Sequence, residues 1–411
     1  MDFTFLHASD LHLGSPFIGL ALKDEDVAKR FAAASRGAFT ALVTQAIESG
    51  VAFVVLAGDI YDGEWRDTSI GLFFNREIAR LHRANIPVYL LKGNHDAESV
   101  VTKTVSLPEN VIQFPTRGPK TFRIPELKVA IHGQSFPDRD VTDNLALTYP
   151  GTVDGWFNIG VLHTACEGRP GHASYAPCSV QDLRSKGYQY WALGHVHEFE
   201  ILSEDPWVVF PGNLQGRNVR ECGPKGAVLV DVVDGHVQDV RRLFVDHARW
   251  ADVSVDVGAA ADETELLALV QDALKPVVRE AEARLLALRV RLAGRTALHD
   301  HLLADQERLA EEVQAIGHHC HEDVWLERLV TETTPFEHQG EAADGDPSFD
   351  LAVQLSDLQA DATFREGAAK IFPAIENRLP AGLGGETLSD LDALLNEAKS
   401  AVLERLTRRG R

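Results

Sequence analysis

The first 245 residues alternate short, almost wholly apolar runs with longer amphipathic stretches. Apolar runs of this length, bounded by Gly, Pro or Asn, predict strands that are buried on both faces. The predicted strands are FTFLHAS, VAFVVLAGD, IPVYLLKGN, KVAIHGQ, FNIGVLHT, YQYWALGH, PWVVFPGN and GAVLVDVV. Strands buried on both faces are typical of a largely parallel sheet that is covered by helices.

Two amphipathic helices separate the first three predicted strands. The first spans about 20 residues and ends at Gly50, since glycine is a common helix terminator. A second helix is expected near 68–84, before IPVYLL. Apolar residues of the first helix share one side: Phe31, Phe39, Leu42, Val43 and Ile47. The βαβαβ order predicts an α/β fold with parallel strands and right-handed crossovers.

The pattern changes near residue 249. RWADVSVDV, LLALRVRLAG and DVWLERLVTE predict strands, with helices near 263–275 and 296–315 between them. We therefore predict one domain over 1–245 and a small α+β domain over 249–333. The segment GHHCH at 317–321 lacks the ligand spacing of a zinc site, and we interpret it as a turn.

The end of the chain is predicted to be a linker followed by a helical tail. Residues 334–348 are polar, contain Gly and Pro, and show no periodicity. Residues 349–411 have apolar positions at helical spacing, which serve either an intramolecular core or docking onto another protein. These positions include Leu388, Leu391, Leu394, Leu395, Ala398, Val402 and Leu406.

Composition is that of an ordinary globular protein, with 45% hydrophobic and 25% charged residues in 411. No apolar run approaches the roughly 18 residues that a membrane span needs, and MDFTFLHASDLH is not expected to be a signal peptide. Four scattered cysteines suggest reduced thiols and a cytoplasmic location: Cys166, Cys178, Cys222 and Cys320.

Negative charge is concentrated in the C-terminal part. Residues 1–250 hold 24 Lys and Arg against 30 Asp and Glu, a net charge of −6. Residues 251–411 hold 16 against 31, a net charge of −15. The second part is therefore the less suited to face phosphates, and its acidity favours either a protein partner or solubility alone.

Polar residues of the same types follow five of the predicted strands. The segments are SDLHLG with Asp10 and His12, GDIYDG with Asp59 and Asp62, GNHDAE with Asn94, His95 and Asp96, VLHTA with His163, and LGHVHE with His195 and His197. Functional groups in α/β sheets collect at the carboxyl ends of strands. A single such segment is weak evidence, but five in one chain predict a shared site.

These side chains predict a centre for two metal ions. Carboxylate, imidazole and amide oxygen together suit Mn²⁺, Fe²⁺ or Zn²⁺. The candidate ligands are too many for one ion and suit two ions that share a bridging carboxylate. Two cations about 3.5–4 Å apart are the usual apparatus for in-line attack at phosphorus.

The order D-x-H, G-D-x-x-D, G-N-H-D, H, G-H-x-H resembles the calcineurin-like metallophosphoesterase superfamily. The resemblance implies a four-layer α-β-β-α sandwich and two divalent ions, for which we expect Mn²⁺. It assigns Asp59 as the bridging ligand and His95 as the residue that faces the scissile phosphate. The other ligands would be Asp10, His12 and His197 for the first ion, and Asn94, His163 and His195 for the second.

Longer segments resemble the YhaO branch of the DNA repair exonucleases, relatives of the SbcD nuclease subunit. These are IHGQSF, HASYAPCSVQDL, GYQYWALGHVHE, FPGNLQGRNVRECGPKG and DVWLERLVTETTP. The resemblance implies a DNA nuclease with a capping domain over 249–333, and a coiled-coil ATPase partner of the Rad-fifty or YhaN type that the tail contacts. A homodimer is a further expectation, and no membrane partner is expected.

The glycine-rich loop GNLQGRNVRECGPKG supplies candidate phosphate contacts. Arg217, Arg220 and Lys225 could meet phosphates that flank the metals, although Arg217 could instead form a structural ion pair. His172 and Tyr175 either contact a nucleotide or only order their loop.

Three functions remain open at this stage. The first is a metal-dependent DNA phosphodiesterase, most plainly a 3′-to-5′ exonuclease in break repair. The second is a phosphodiesterase or phosphomonoesterase that acts on small molecules, and the third is a largely non-catalytic subunit of an ATPase complex. In the phosphatase relatives an aspartate at the position of Asp62 pairs with the histidine of G-N-H-D. Asp62 is therefore expected to orient His95, where the SbcD-like nucleases tend to carry a histidine.

Overall fold

The computed structural model divides the chain into two compact units, Met1–Trp250 and Ala251–Arg411. It describes residues 2–15, 25–62, 68–98, 106–168, 175–336 and 347–367, together with Leu395 and Lys399. Throughout the described part of the chain, every helix is too short or too polar to cross a lipid bilayer.

The first unit contains a six-stranded sheet with the order β12-β11-β1-β2-β3-β4. The four strands from β1 to β4 pair in parallel, and β11 and β12 join antiparallel beside β1. The strands are β1 (Phe3–Ala8), β2 (Phe53–Ala57), β3 (Val88–Leu91), β4 (Val111–Gln113), β11 (Gly226–Val233) and β12 (His236–Phe244).

A second six-stranded sheet has the order β5-β6-β7-β8-β10-β9. Its four central strands are parallel, and the edge strands β5 and β9 run antiparallel to their neighbours. The strands are β5 (Lys120–Ile124), β6 (Val129–Gly133), β7 (Phe157–His163), β8 (Tyr190–Gly194), β9 (Glu200–Glu204) and β10 (Trp207–Phe210).

The two sheets face each other across an apolar core. Phe5 and Phe53 of the first sheet stack with ring centroids 5.0 Å apart, and they share this core with Ile131 and Ile159 of the second. Because both faces of the central strands are buried, their sequences read as continuous apolar runs rather than as alternating ones.

Helices cover the outer faces of both sheets. On the first sheet lie α1 (Glu25–Glu48) and α2 (Thr68–Arg83), and a short helix α3 (Asn94–Glu98) follows β3. A 3-10 turn (Leu145–Thr148) and α4 (Val180–Arg184) pack on the second sheet. The result is the four-layer α-β-β-α sandwich that was predicted, and the first two predicted helices are confirmed.

Four strands were not predicted: β4, β5, β9 and β12. All four are edges of the two sheets. An edge strand has a neighbour on one side only and often faces solvent, so it lacks the continuous apolar run on which the sequence prediction rested. The nine residues of β12, for example, contain no fully buried side chain.

The second unit is built around a three-stranded sheet of order β13-β14-β15. The helices α5 and α7 share its apolar core with the sheet. The elements are β13 (Ala248–Asp256), α5 (Glu263–Glu280), β14 (Leu285–Arg295), α6 (His299–Ala304), α7 (Gln306–Cys320) and β15 (Val324–Thr334). Asp262 caps α5 by accepting a hydrogen bond from the backbone N–H of Glu265 at 3.0 Å.

The predicted turn at 317–321 is wrong, because α7 continues through Cys320. Gly317 is buried in the helix, and a Cβ there would lie 2.9 Å from Cγ1 of Val324. Glycine therefore serves close packing at this position and does not end the helix.

Helix α8 spans Pro347–Ala360, and residues 362–367 after it are also helical. The apolar positions on which the tail prediction rested lie outside the described residues, apart from Leu395. The carbonyl oxygen of Leu395 accepts a hydrogen bond from Nε2 of Gln359 at 2.6 Å. The linker over 334–348 also falls largely on residues that the structure does not describe, and the tail remains a prediction.

Candidate metal centre

The five predicted segments follow β1, β2, β3, β7 and β8, and they meet at the carboxyl ends of these strands. Four of the residues there have left-handed backbone conformations: Asp10 (φ 52°), His12 (φ 41°), Asp59 (φ 53°) and His195 (φ 102°). Such conformations are uncommon for residues other than glycine and collect at functional sites. Each one bends the chain sharply just after its strand.

Two glycines allow these loops to close around His163. Gly58 has a φ of +98°, and a Cβ there would lie 2.5 Å from Nδ1 of His163. A Cβ on Gly194 would lie 2.0 Å from the carbonyl oxygen of Ala57. Glycine is needed at both positions because backbone and imidazole approach more closely than any side chain permits.

Asp10, His12 and His197 form a first group of candidate ligands. Oδ1 of Asp10 lies 3.6 Å from Nε2 of His197 and 3.9 Å from Nε2 of His12, and the two Nε2 atoms are 3.2 Å apart. Oδ2 of Asp10 accepts hydrogen bonds from the Ser9 hydroxyl and from the backbone N–H of His195. Oδ1 thus remains directed at the two imidazoles.

Asp59 and His163, with Asp10, form a second group of candidate ligands. Nε2 of His163 lies 3.4 Å from Oδ2 of Asp59 and 2.9 Å from Oδ1 of Asn94. The same Oδ2 lies 3.8 Å from Nε2 of His12 in the first group. Asp59 therefore stands between the two groups, in the position expected of a bridging carboxylate.

The remaining predicted ligand, His195, packs beside the second group. Its ring centroid lies 5.3 Å from that of His163 and 5.5 Å from that of Tyr175. The loop residue Tyr175 thus contacts the site through His195, while His172 lies outside the described residues.

Contacts with neighbouring groups determine which atom of His163 faces the site. Its Nδ1 lies 2.9 Å from the carbonyl oxygen of Ala57, which can only accept a hydrogen bond. Nδ1 therefore carries a proton, and Nε2 is the nitrogen that faces Asp59 and Asn94 and can bind an ion once it is deprotonated. Metal-binding histidines commonly have their outer nitrogen bonded in this way.

Two imidazoles of the site, those of His163 and His197, are more basic than ordinary histidines. Burial opposes protonation of His163, but the negative charge of Asp59 prevails and raises the pKa of His163 to about 9. Burial also opposes protonation of His197, whose pKa is raised to about 9 by the neighbouring carboxylates of Asp10 and Glu221. Burial disfavours the charged form of Asp10, but His197 and His163 hold its pKa below the usual range.

These donors fit divalent cations. Oδ1 of Asp10 is buried and accepts no hydrogen bond within the described part of the chain, although a buried carboxylate oxygen normally has a partner. Nε2 of His163 and Oδ1 of Asn94 lie 2.9 Å apart, so a cation that replaces the proton on Nε2 could contact both atoms. Carboxylate, imidazole and amide oxygens in this combination suit first-row divalent metals.

His95 and Asp62 lie at the opening of the site and contact each other. Nδ1 of His95 lies 3.1 Å from Oδ1 of Asp62, and the side chains are 32% and 21% exposed. Burial acts to lower the pKa of His95, but the hydrogen bond to Asp62 and the charge of Asp59 outweigh burial. The pKa of His95 is therefore raised above its ordinary value. His95 is therefore both more basic than an ordinary histidine and accessible to a substrate.

The group His12, Asp62 and His95 also has the spacing of a metal site. Both oxygens of Asp62 are already used, however, because Oδ2 accepts a hydrogen bond from the Ser15 hydroxyl at 2.6 Å. The contacts favour a role for Asp62 in orienting His95. Among the residues that the structure describes, the candidate ligand clusters all lie at this one site.

Asp96 is a buried residue whose role the sequence did not predict. Its carboxylate accepts hydrogen bonds from the backbone N–H groups of Ile60, Tyr61 and Gly93 at 2.9–3.1 Å. Asp96 thus ties the loop after β2 to the loop after β3. Burial and the neighbouring charge of Asp59 raise its pKa to about 6, against the effect of these hydrogen bonds.

The residues of the glycine-rich loop take different positions. Nη2 of Arg217 lies 2.7 Å from Oε1 of Glu221, which is the ion pair that the sequence left open. Arg220 is exposed, and Lys225 is buried with its Nζ donating to the carbonyl oxygen of His197. Contact between Arg217 or Arg220 and a phosphate stays a prediction.

Family comparisons agree with this arrangement of fold and site. Residues 3–199 match the model of the calcineurin-like phosphoesterases, so the first unit belongs to a class of metal-dependent phosphoesterases. Residues 250–334 match a second family, the middle domain of the metallophosphoesterase YhaO.

Similarity to a curated relative identifies the family to which the whole chain belongs. The uncharacterized metallophosphoesterase YhaO of Bacillus subtilis is 33% identical over 384 residues, which cover 89% of this chain and 92% of the relative. The chain therefore belongs to the YhaO family of metallophosphoesterases.

More distant similarity extends to other proteins. The DNA double-strand break repair protein Mre11 of Sulfurisphaera tokodaii is 23% identical over 64% of this chain and 68% of its own length. The Mre11 protein of Archaeoglobus fulgidus is 32% identical over 53% of this chain and 51% of its own. Among solved structures, a dimetal phosphatase from Danio rerio aligns over 59% of this chain and 97% of its own, at 13% identity and a TM-score of 0.36.

Proposed function

We propose that this metallophosphoesterase is a DNA phosphodiesterase that depends on two divalent metal ions and acts at DNA ends. The observation that carries the proposal is the position of Asp59, whose Oδ2 lies between Nε2 of His12 and Nε2 of His163. A carboxylate placed between two sets of imidazole ligands suits a pair of cations better than a single one.

The proposed ligands are those that the sequence predicted. Asp10, His12 and His197 would hold one ion, and Asn94, His163 and His195 would hold the other, with Asp59 available to both. Mn²⁺ is the expected metal. When bound, two such ions provide a nucleophile at neutral pH and neutralise charge that develops on the phosphoryl oxygens.

The protein's own contribution centres on His95. Its raised pKa favours the protonated form of the imidazole, and its exposure leaves it open to the substrate. A protonated imidazole there stabilises negative charge on the phosphate or donates a proton to the leaving oxygen. Asp62 holds the ring through Nδ1, so that Nε2 carries the proton toward the substrate.

DNA is the proposed substrate because of the relatives. The Mre11 proteins of Sulfurisphaera tokodaii and Sulfolobus acidocaldarius, named for repair of DNA double-strand breaks, match 64% and 55% of this chain. Cleavage at the 3′ end is the expected polarity. By the same similarity we propose a coiled-coil ATPase partner, a capping role for the domain over 249–333, and a homodimer.

A reducing compartment fits the thiols of this protein. All four cysteines are free, and Cys166 and Cys178 are buried in the first unit. Free buried thiols are common in proteins of the cytoplasm, which is the location we propose.

The direct test compares two substrates in the presence of Mn²⁺. We expect the protein to release nucleotides from linear duplex DNA, and we expect Asn94→Ala to abolish this release. Glu204→Gln, a change at an exposed position at the end of the edge strand β9 and outside the candidate ligand groups, serves as the control. If the protein hydrolyses a chromogenic phosphodiester and leaves the DNA uncleaved, a small-molecule phosphoesterase is favoured instead. Stable association with a coiled-coil ATPase, without hydrolysis of either substrate, would favour a scaffold subunit.

A further inference from the structure

Glu221 contacts the site from behind His197. Its Oε1 lies 2.8 Å from Nδ1 of His197, on the side of the ring that faces away from Asp10 and His12. Its Oε2 accepts hydrogen bonds from the side chain of Asn213 and the backbone N–H of Arg217, both at 2.8 Å. The carboxylate is buried and held in one orientation by several donors.

The contact with Glu221 determines the tautomer of His197. Oε1 of Glu221 also accepts from Nη2 of Arg217 at 2.7 Å, and Oε2 accepts from two N–H groups, so the carboxylate is surrounded by donors and acts as an acceptor toward His197. Nδ1 of His197 must therefore carry the proton. In the neutral ring Nε2 then carries no proton, and this nitrogen lies 3.6 Å from Oδ1 of Asp10.

Arg217 would favour the opposite tautomer if Glu221 were absent. Its Nη2 lies 3.2 Å from Nδ1 of His197, and a guanidinium can only donate. With the carboxylate present, both donors share its oxygens. Without it, the guanidinium would bond an unprotonated Nδ1, and the proton would move to Nε2, where it blocks coordination of a metal.

We propose that Glu221 is a positioning residue for the metal site: it holds the proton of His197 on Nδ1 against the competing donor Arg217. This inference rests on the proposed two-metal function. A carboxylate behind a metal-binding histidine commonly changes metal affinity by about 10- to 100-fold. Here the structure adds a specific competitor, so the effect of losing Glu221 depends on whether Arg217 is present.

The test is a calorimetric titration of Mn²⁺ into the full-length protein and three variants. Glu221→Gln removes the charge and keeps the shape, Arg217→Met removes the competing donor, and the third variant combines the two. We expect Glu221→Gln to weaken one of two sites by about 10- to 100-fold and Arg217→Met to change affinity little. The combined variant should bind more tightly than Glu221→Gln alone.

A purely structural role predicts a different pattern. Glu221→Gln would then lower the thermal stability and leave both Mn²⁺ affinities unchanged, or Arg217→Met would make the loss worse, and either result overturns the inference. If the wild-type protein binds no Mn²⁺, the proposed function fails and the inference with it. If wild type binds two ions and Glu221→Gln binds both equally well, only the inference fails.

A measurement on the unsubstituted chain adds a test that needs neither the Glu221 nor the Arg217 variants to fold. In protein loaded with Zn²⁺ and labelled with ¹⁵N at histidine, His197 should show a proton on Nδ1 and coordination through Nε2. Its resonances are identified by their loss in His197→Gln. Coordination through Nδ1, or a proton on Nε2, would overturn the inference.

Discussion

Nδ1 of His95 lies 3.1 Å from Oδ1 of Asp62, and Oδ2 of Asp62 accepts a hydrogen bond from Ser15. Burial opposes the charged form of Asp62, but these hydrogen bonds hold its pKa at about 2. Asp62 is therefore an anion at neutral pH. It orients the imidazole and raises its pKa, which separates its role from that of Asp59 three residues earlier.

Asp62→Asn should lower turnover by about 10²- to 10⁴-fold, the usual range for general acid–base catalysis, with metal content unchanged. Because the variant also lowers the pKa of His95, the loss of activity with rising pH should begin at a lower pH. Steady-state rates across pH, together with metal analysis, test both expectations. Loss of metal from Asp62→Asn, as expected for Asp59→Asn, would show that both acids are ligands.

Metal affinity should rise with pH. His163 and His197 have pKa values of about 9 in the metal-free protein, so an ion must displace their protons throughout the neutral range. Titrations of Mn²⁺ at pH values from about 6 up to about 9 should show progressively tighter binding. Affinity that is independent of pH would contradict these protonation states.

Stability of the metal-free protein should fall as the pH rises, whereas metal affinity should increase. Folding raises the pKa of His163 from 6.5 to about 9, so it favours the protonated form. The resulting stabilisation is fully present below about pH 6.5 and is lost as the pH rises through about 9. Chemical denaturation in the presence of a chelator measures this effect, and a gain in stability over the same interval would contradict it.

Asp96→Ala should destabilise the first unit and reduce its metal content. The substitution leaves three backbone N–H groups without their acceptor, those of Ile60, Tyr61 and Gly93, at a cost of about 1–3 kcal/mol for each group that stays buried. Denaturation by urea and metal analysis measure the two effects. Asp154→Ala, at an exposed position of the same unit, is the control. Equal behaviour of the two variants would show that the loops hold without Asp96.

Tyr190→Phe should destabilise the sandwich without loss of metal. The Tyr190 hydroxyl donates to Nδ1 of His7, because Nε2 of His7 donates to the carbonyl oxygen of Leu193. Burial lowers the pKa of His7 to about 3, so the ring stays neutral and its Nδ1 would lose the donor that the described residues provide. We expect a loss of about 1–3 kcal/mol in the free energy of unfolding.

The control for Tyr190→Phe is Tyr188→Phe. The Tyr188 hydroxyl bonds the carbonyl oxygen of Pro150, which is only partly buried and can be hydrated when the hydroxyl is removed. Tyr188→Phe should therefore lower the free energy of unfolding by less than Tyr190→Phe does. A larger effect at Tyr188 would show that the contact between the sheets through His7 contributes little.

The sequence predicted the interior of the fold better than its borders. Strands buried on both faces leave a continuous apolar run, so β1, β2 and β7 were readable from the residues alone. The edge strands β4 and β12 meet solvent, and their composition resembles that of a loop. Gly317 was misread for a related reason, because a sequence does not distinguish a glycine that ends a helix from one that permits close packing.

Within the site, the candidate ligands inside the motifs could be predicted from the sequence. The residues that hold the ligands and their loops in place could not. Asp59 and His163 follow apolar strands in recognisable segments. Asp96 stands in such a segment too, but its function depends on where the backbone N–H groups of another loop lie. Glu221 follows His197 by 24 positions in a loop without periodicity, and only the folded chain brings the two together.

The central claim is that two ions are bound on either side of Asp59. Crystals grown with Mn²⁺ and measured near its absorption edge test the claim through anomalous scattering. The expected map has two peaks that flank Oδ2 of Asp59, about 3.5–4 Å apart. One peak should lie beside Asp10 and His197, and the other beside His163. A single peak, or a peak coordinated by Asp62, would contradict the two-metal site.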